Sequence, residues 1–340
     1  MTRVFSGIQP SGEMQLGNYV GAVRRWVDAQ PPAGSPGAAR HDAIHCVVDL
    51  HAMTVAYDPQ VLRARTREVA TLLFACGLDP QRSIVFVQSH VRAHTECTWI
   101  LDCVATDGEL RRMTQFKEKS KSQESVTAGL LVYPVLMASD ILLYDADEVP
   151  VGDDQRQHVE LTRDLALRFN HRFGETFVVP KATFPTIGAR VMDLQQPTAK
   201  MSKSADSPQG TVLVLDPPET IVKKVRAAVT DSGSEVCYDV EEKPGVSNLL
   251  DLYAAATGAS RDDAVAQLGS EGYGALKTKV ADALVEYLRP VRERHEELAR
   301  DPGEVDRLLA IGADEAEAIA NGVLDRVRDA CGLLRRHRRS

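Results

Sequence analysis

Lys200-Met201-Ser202-Lys203-Ser204 sets two lysines around small hydroxyl side chains. Such a segment can wrap a polyphosphate, because the ammonium groups offset charge and the hydroxyls donate hydrogen bonds. A segment far upstream suits the same ligand. Gly7-Ile8-Gln9-Pro10-Ser11-Gly12 follows the short apolar run Arg3-Val4-Phe5 and leads through Gln15-Leu16-Gly17-Asn18-Tyr19 into a helical pattern. A strand, a glycine-rich turn and a helix start together favour an anion through free backbone N–H groups and the helix dipole. Gly17 lets a ligand approach the backbone closely. Neither GxxxxGK nor GxGxxG occurs, so the turn is neither a P-loop nor a dinucleotide fingerprint, which disfavours an oxidoreductase.

A third stretch, Leu130 to Tyr144, reads as a helix that is apolar all round and therefore buried, with Pro134 in its first turn. Tyr133, Met137, Asp140 and Tyr144 share one face of it. A lone carboxylate there needs a donor. Asp140 either caps a helix starting at Ile141, pairs with a distant arginine, or serves a ligand.

The elements that must position these residues alternate in the first half. Ala43 to Val48 and Ser83 to Val87 read as buried strands. Between the strands lie a helical pattern over 17–30 and a helix from Pro59 to Gly77. Buried strands separated by helices predict a parallel sheet covered on both faces. Pro31 to Ala39 reads as an exposed loop. Asp153-Asp154 are good N-cap residues for a helix over 154–169, which puts Gln155 in its first turn. From about Pro217 helical periodicity dominates. One stripe runs from Leu276 to Val291 until Pro290 disturbs it, and a last helical region spans Leu308 to Leu334.

With 340 residues, about two domains are expected. Lys and Arg number 40 against 48 Asp and Glu, a net charge of −8, which argues against a generic nucleic-acid coat. Local basic runs remain, Arg111 to Lys121 and the terminal Arg335 to Arg339. No stretch reaches the ~18 uncharged residues of a membrane span, and no apolar signal core opens the chain. The six cysteines form no CxxC pair, so neither a zinc ribbon nor a disulfide framework is indicated. A soluble, cytoplasmic protein is expected.

Taken together, Gly7 to Gly12, Gly17-Asn18-Tyr19, Met113-Thr114-Gln115-Phe116-Lys117, Gly152-Asp153-Asp154-Gln155 and Lys200 to Ser204 resemble the bacterial tryptophanyl-tRNA synthetases. The resemblance runs through nearly the whole chain. It implies a class I aminoacyl-tRNA synthetase: an α/β fold with a Rossmann-like doubly wound parallel sheet and a C-terminal all-helical domain. It implies a catalytic domain over 1–205, an anticodon-binding domain over 206–305, and a helix and basic tail over 306–340 that could pack back on the catalytic domain. It implies ATP with Mg²⁺ bound alongside rather than in a dedicated protein cage, tRNA(Trp) and L-tryptophan as substrates, and a homodimer. Carried over position by position, Gln9, Pro10, Ser11, Gly17, Asn18, Gly152, Asp153, Asp154, Val191, Lys200, Met201, Ser202, Lys203 and Ser204 contact ATP. Lys200, Ser202, Lys203 and Asn18 serve catalysis. Asp140, Phe5, His51, Tyr133, Met137, Val151 and Gln155 surround tryptophan. Here Asp140 accepts the indole N–H, Phe5 and Met137 are apolar walls, and Tyr133 and Gln155 hold the ammonium group. His158 and His90 read as structural.

The chain departs from the family where the HIGH-type signature reads Gln15-Leu16-Gly17-Asn18, without either histidine. The 31–39 loop looks like an insertion. A tyrosyl-tRNA synthetase on the same scaffold would need a polar pair for the phenol hydroxyl. A nucleotidylyltransferase acting without RNA is disfavoured by the long helical C-terminal region and the Lys200–Ser204 segment. A catalytically weak paralogue that binds tRNA or senses tryptophan is kept open by the missing histidines.

Overall fold

The computed structural model describes residues 2–35, 37–121, 125–184, 191–201 and 208–334. Ser202, Lys203, Ser204 and the arginines from Arg335 onward lie outside the described residues, as does the side chain of Asp153.

Five strands form one parallel sheet: β1 (Val4–Ile8), β2 (Ala43–Val47), β3 (Ile84–Val87), β4 (Glu148–Pro150) and β5 (Lys181–Thr183). Their order is β3-β2-β1-β4-β5, so the sheet is doubly wound and its switch point lies between β1 and β4. Ligands bind such sheets outside the carboxyl ends of the strands at this point. The sequence pattern shows the first three strands but not β4 and β5. With three residues each, those two carry no period of their own.

Helices cover both faces. α1 (Leu16–Asn18) runs through a π-turn (Tyr19–Val23) into α2 (Arg24–Asp28), so the pattern over 17–30 is not one continuous α-helix. α3 (Asp49–Ala52) and α4 (Pro59–Ala75) follow β2. After β3 come α5 (Ala93–Asp102), α6 (Asp107–Arg112), α7 (Thr114–Lys121) and α8 (Ala128–Leu142). α9 (Arg156–Phe173) lies between β4 and β5. Phe5, Ile44, Cys46, Ile84 and Phe86 pack with α5, α8 and α9 in one core. Val47, Val85 and Val87 join a second core with α4 and the C-terminal helices α10 (Pro218–Arg226), α11 (Pro244–Thr257), α12 (Arg261–Leu268) and α13 (Tyr273–Arg300).

The last helix, α14 (Pro302–Ala330), returns to the sheet and lies along β3. The approach is so close that a methyl group at Gly312 would lie 1.9 Å from the Val85 carbonyl oxygen. Arg326 pairs with Asp145 at 2.6 Å, and Arg40 with Glu315 at 2.8 Å. The second pair ties α14 to the end of the 31–42 connection.

Three local expectations need correction. Thr127 caps α8 by accepting from the Leu130 N–H, so the helix begins earlier and Pro134 falls inside it rather than in its first turn. α13 likewise runs unbroken through Pro290, because its buried stripe from Leu276 to Leu298 holds it against α10 and α11. α9 begins after a 3₁₀ turn over Asp153–Gln155, and its N-cap residue is Gln155; the Asp154 carboxylate accepts from the Gln155 side chain instead.

Candidate active site

The glycine-rich turn leaves β1 at the sheet's carboxyl edge. Its backbone is pinned from a distant segment: the Leu16 N–H donates to the Val212 carbonyl at 2.8 Å, and the Val214 N–H to the Met14 carbonyl at 2.9 Å. Gly12 adopts φ of +70°, which favours glycine. A cleft of about 190 Å³ opens over the turn, lined by Gly7, Ile8, Gln9, Ser11, Gly12 and Asn18 among others. Pro10 is buried beneath it, while Gln9 and Ser11 are exposed.

The segment leading to the lysine-rich run doubles back on itself. Met201 N–H donates to the Val191 carbonyl, and Asp193 N–H to the Ala199 carbonyl. Asn248 of α11 clamps Met192 through both its backbone groups at 3.0 Å. This hairpin meets the turn at Gly17, where a methyl group would lie 3.6 Å from Val191 Cβ and 3.9 Å from Met201 Cβ. Met201 is buried there and Lys200 is exposed. Asn18 faces Gln15, whose amide approaches its oxygen at 3.4 Å. Gly152 and Asp154 are exposed on the link from β4 to α9.

Asp140 on α8, 1% exposed, is held at the carboxyl ends of β2 and β3. α8 continues past it, so it caps no helix, and among the described residues its partners are side chains from other elements rather than an arginine. His51 Nε2 lies 2.8 Å from Oδ2 and His94 Nδ1 lies 2.6 Å from Oδ1. The Gln88 amide donates to both oxygens at 2.7 and 2.8 Å. Burial pushes the Asp140 carboxyl up, but the hydrogen bonds from His51 and His94 outweigh it and hold the group well below the usual carboxylate range. The result is a buried, ionised acceptor.

Around it, Phe5 stacks on Tyr144 with ring centroids 5.4 Å apart. Tyr133 meets His51 edge-on at 6.1 Å. Its hydroxyl pairs with His158 Nε2 at 2.9 Å, and burial pushes it up to about 12. Met137 and Val151 are half-buried on the same side. Gln155 is half-buried, and its amide donates to the Asp154 carboxylate at 2.8 Å.

Four side chains at this end escaped the sequence reading of the site. Gln88 and His94 hold Asp140, Lys119 lies 5.2 Å over the Tyr133 ring, and His158 grips the Tyr133 hydroxyl. A signal existed for one of them: Gln88 directly follows a buried strand, where the carboxyl edge must lie. Tyr238, Tyr253, Tyr273 and Tyr287 of the helical region all engage the protein's own residues. Among the described residues no group of His, Cys, Asp and Glu could hold a metal ion, and no helix is long and apolar enough to cross a membrane.

The doubly wound sheet, with a glycine-rich turn at its switch point and helices following it, has the architecture of a class I aminoacyl-tRNA synthetase. Residues 1–289 match the family model of class I tRNA synthetases (W and Y). Tryptophan–tRNA ligase 1 of Streptomyces coelicolor is 55% identical over 340 residues, covering 98% of each chain. Two solved tryptophanyl-tRNA synthetases superpose with TM-scores of 0.82. That of Mycoplasma pneumoniae is 35% identical and covers 98% of each chain. That of Campylobacter jejuni, complexed with ADP and tryptophan, is 33% identical and covers 98% of this chain and 100% of its own. The chain belongs to the bacterial tryptophanyl-tRNA synthetases.

Proposed function

We propose that the enzyme activates L-tryptophan with ATP and transfers it to the 3′-terminal adenosine of tRNA(Trp). The observation that supports this reading is the contact at Gly17, where the start of α1 meets the Val191–Met201 hairpin at the carboxyl edge of the sheet. In the first half-reaction a tryptophan carboxylate oxygen attacks the α-phosphorus. The bond to the oxygen bridging the α- and β-phosphates breaks, and pyrophosphate leaves. No enzyme nucleophile is required, so positioning and charge stabilisation carry the rate. In the second half-reaction a hydroxyl of the terminal adenosine attacks the carbonyl carbon and AMP leaves.

On this reading Gln9, Pro10, Ser11, Gly17, Asn18, Gly152, Asp153, Asp154, Val191 and the Lys200–Ser204 segment hold ATP. Lys200 and Lys203 offset the charge of the departing pyrophosphate, and the segment closes over the nucleotide. Asp140 accepts the indole N–H. Indole offers a donor and no acceptor, so an ionised carboxylate suits it and penalises analogues lacking the N–H. Phe5, Met137 and Val151 flank the ring, with His51 beside it; Tyr133 and Gln155 take the ammonium group.

The chain divides into a catalytic domain over 1–205, an anticodon-binding domain over 206–305 and a C-terminal segment over 306–340, and it works as a cytoplasmic homodimer. The 70% exposure of Trp99 on α5 supports a covered face there. The test is tryptophan-dependent ATP–pyrophosphate exchange with purified protein, with tyrosine as control. Exchange with tryptophan alone is expected. Exchange driven by tyrosine, or none with either amino acid, overturns the reading.

A further inference from the structure

We infer that His94 is a positioning residue for tryptophan specificity: it fixes the Asp140 carboxylate from behind, so that the opposite edge meets the ring N–H. The inference rests on the tryptophan-activating reading above. Asp140 presents two unlike edges. The Gln88 amide donates to both oxygens, and Oδ1 also faces His94; Gln88 and His94 are both fully buried. Oδ2 also faces His51, whose side chain is 12% exposed and so is nearer to solvent than His94.

His94 is itself held rigidly. An ionised carboxylate only accepts, so Nδ1 carries the proton and donates to Oδ1 at 2.6 Å. In the neutral ring Nε2 is then an acceptor, and the Tyr144 hydroxyl lies 2.9 Å from it. The Tyr144 ring in turn stacks on Phe5, a wall of the proposed pocket. The hydroxyls of Ser139 and Thr98 both donate to the His94 carbonyl, at 2.8 and 2.7 Å, which locks its backbone. The chain Tyr144–His94–Asp140 thus sets tautomer, ring orientation and carboxylate rotamer in turn, as an outer hydrogen bond orients a ligating histidine. A carboxylate free to rotate or to take a proton would lose its preference for a donor.

The test uses His94→Leu, His94→Asn and Asp140→Asn in the full-length enzyme. Each is assayed by ATP–pyrophosphate exchange with tryptophan and with the analogue carrying sulfur in place of the ring N–H. His94→Leu is expected to raise KM for tryptophan at least tenfold, with kcat and the KM for ATP changed less than about threefold. Its preference for tryptophan over the sulfur analogue should fall by a similar factor. His94→Asn, which keeps an N–H near the Nδ1 position, should recover most of both. Should His94→Leu fail to fold, Tyr144→Phe is read instead, with an expected two- to fivefold rise in the same KM. A preference within twofold of wild type in folded His94→Leu, or a loss confined to kcat, overturns the inference. If Asp140→Asn also keeps the preference, the pocket reading itself falls. If Asp140→Asn loses it while His94→Leu does not, only the role of His94 falls.

Discussion

Replacing Gly17 with alanine separates the proposed phosphate site from the fold that carries it. The added methyl group would lie 3.6 Å from Val191 Cβ and 3.9 Å from Met201 Cβ, ordinary van der Waals distances, so the unliganded protein has room for it. Gly17 also lies within the short helix α1, where alanine is favoured over glycine by up to ~1 kcal/mol. Stability should therefore hold or rise slightly. The methyl group nevertheless occupies the space through which a phosphate would approach the α1 backbone. Forcing a methylene into a filled site costs about 1–3 kcal/mol. If that falls wholly on bound ATP, its KM rises roughly 5- to 150-fold, at about 1.4 kcal/mol per tenfold. The assay pairs thermal melting with exchange kinetics at varied ATP, and tryptophan binding without nucleotide serves as control. Tm unchanged or higher, tryptophan binding within twofold and a raised KM for ATP are expected. A stable variant with wild-type KM for ATP would refute the assignment of Gly17 to the nucleotide.

The remaining predictions probe other links. Gly312→Ala should act on stability alone. Its methyl group would meet the Val85 carbonyl oxygen at 1.9 Å, so α14 must move off β3, at about 3 kcal/mol or more, seen as a Tm drop of several degrees with unchanged KM values in the folded fraction. Lys203→Ala should slow exchange by orders of magnitude while tryptophan affinity stays within about twofold, and unchanged exchange would remove the lysine from the proposed chemistry. Acid should destabilise the fold through two buried histidines. Burial pushes His45 down to about 3, and burial, with Lys119 and His51, pushes His158 down to about 4, both from 6.5. The unfolded chain takes up these protons below pH 6.5 while the folded one does not. Stability is thus complete above that value and falls by up to ~1.4 kcal/mol per pH unit for each group between about pH 6 and 4. His45→Phe should remove one proton's worth of that slope in melts across the range, and an unaltered slope would show that His45 does not carry it.

What the sequence alone determined was local. The strand, turn and helix start around Gly7–Asn18, the alternation that makes a parallel sheet, and the lysine–hydroxyl segment are all written in neighbouring residues, because backbone geometry and charge act over a few positions. The combination of such motifs was enough to point to the family. Single positions misled where tertiary packing overrode local preference: Pro134 and Pro290 lie inside helices, and the Tyr19–Val23 turn is wound wider than its neighbours. Strands β4 and β5 were invisible because three residues cannot show a period. Only the tertiary structure decided what satisfies Asp140. Its donors come from α3, the turn after β3 and α5, far apart in the chain. A buried carboxylate announces that it needs partners, but which ones reach it depends on how the sheet's crossovers bring strand ends together, and that follows from the summed packing of two cores rather than from any stretch of residues.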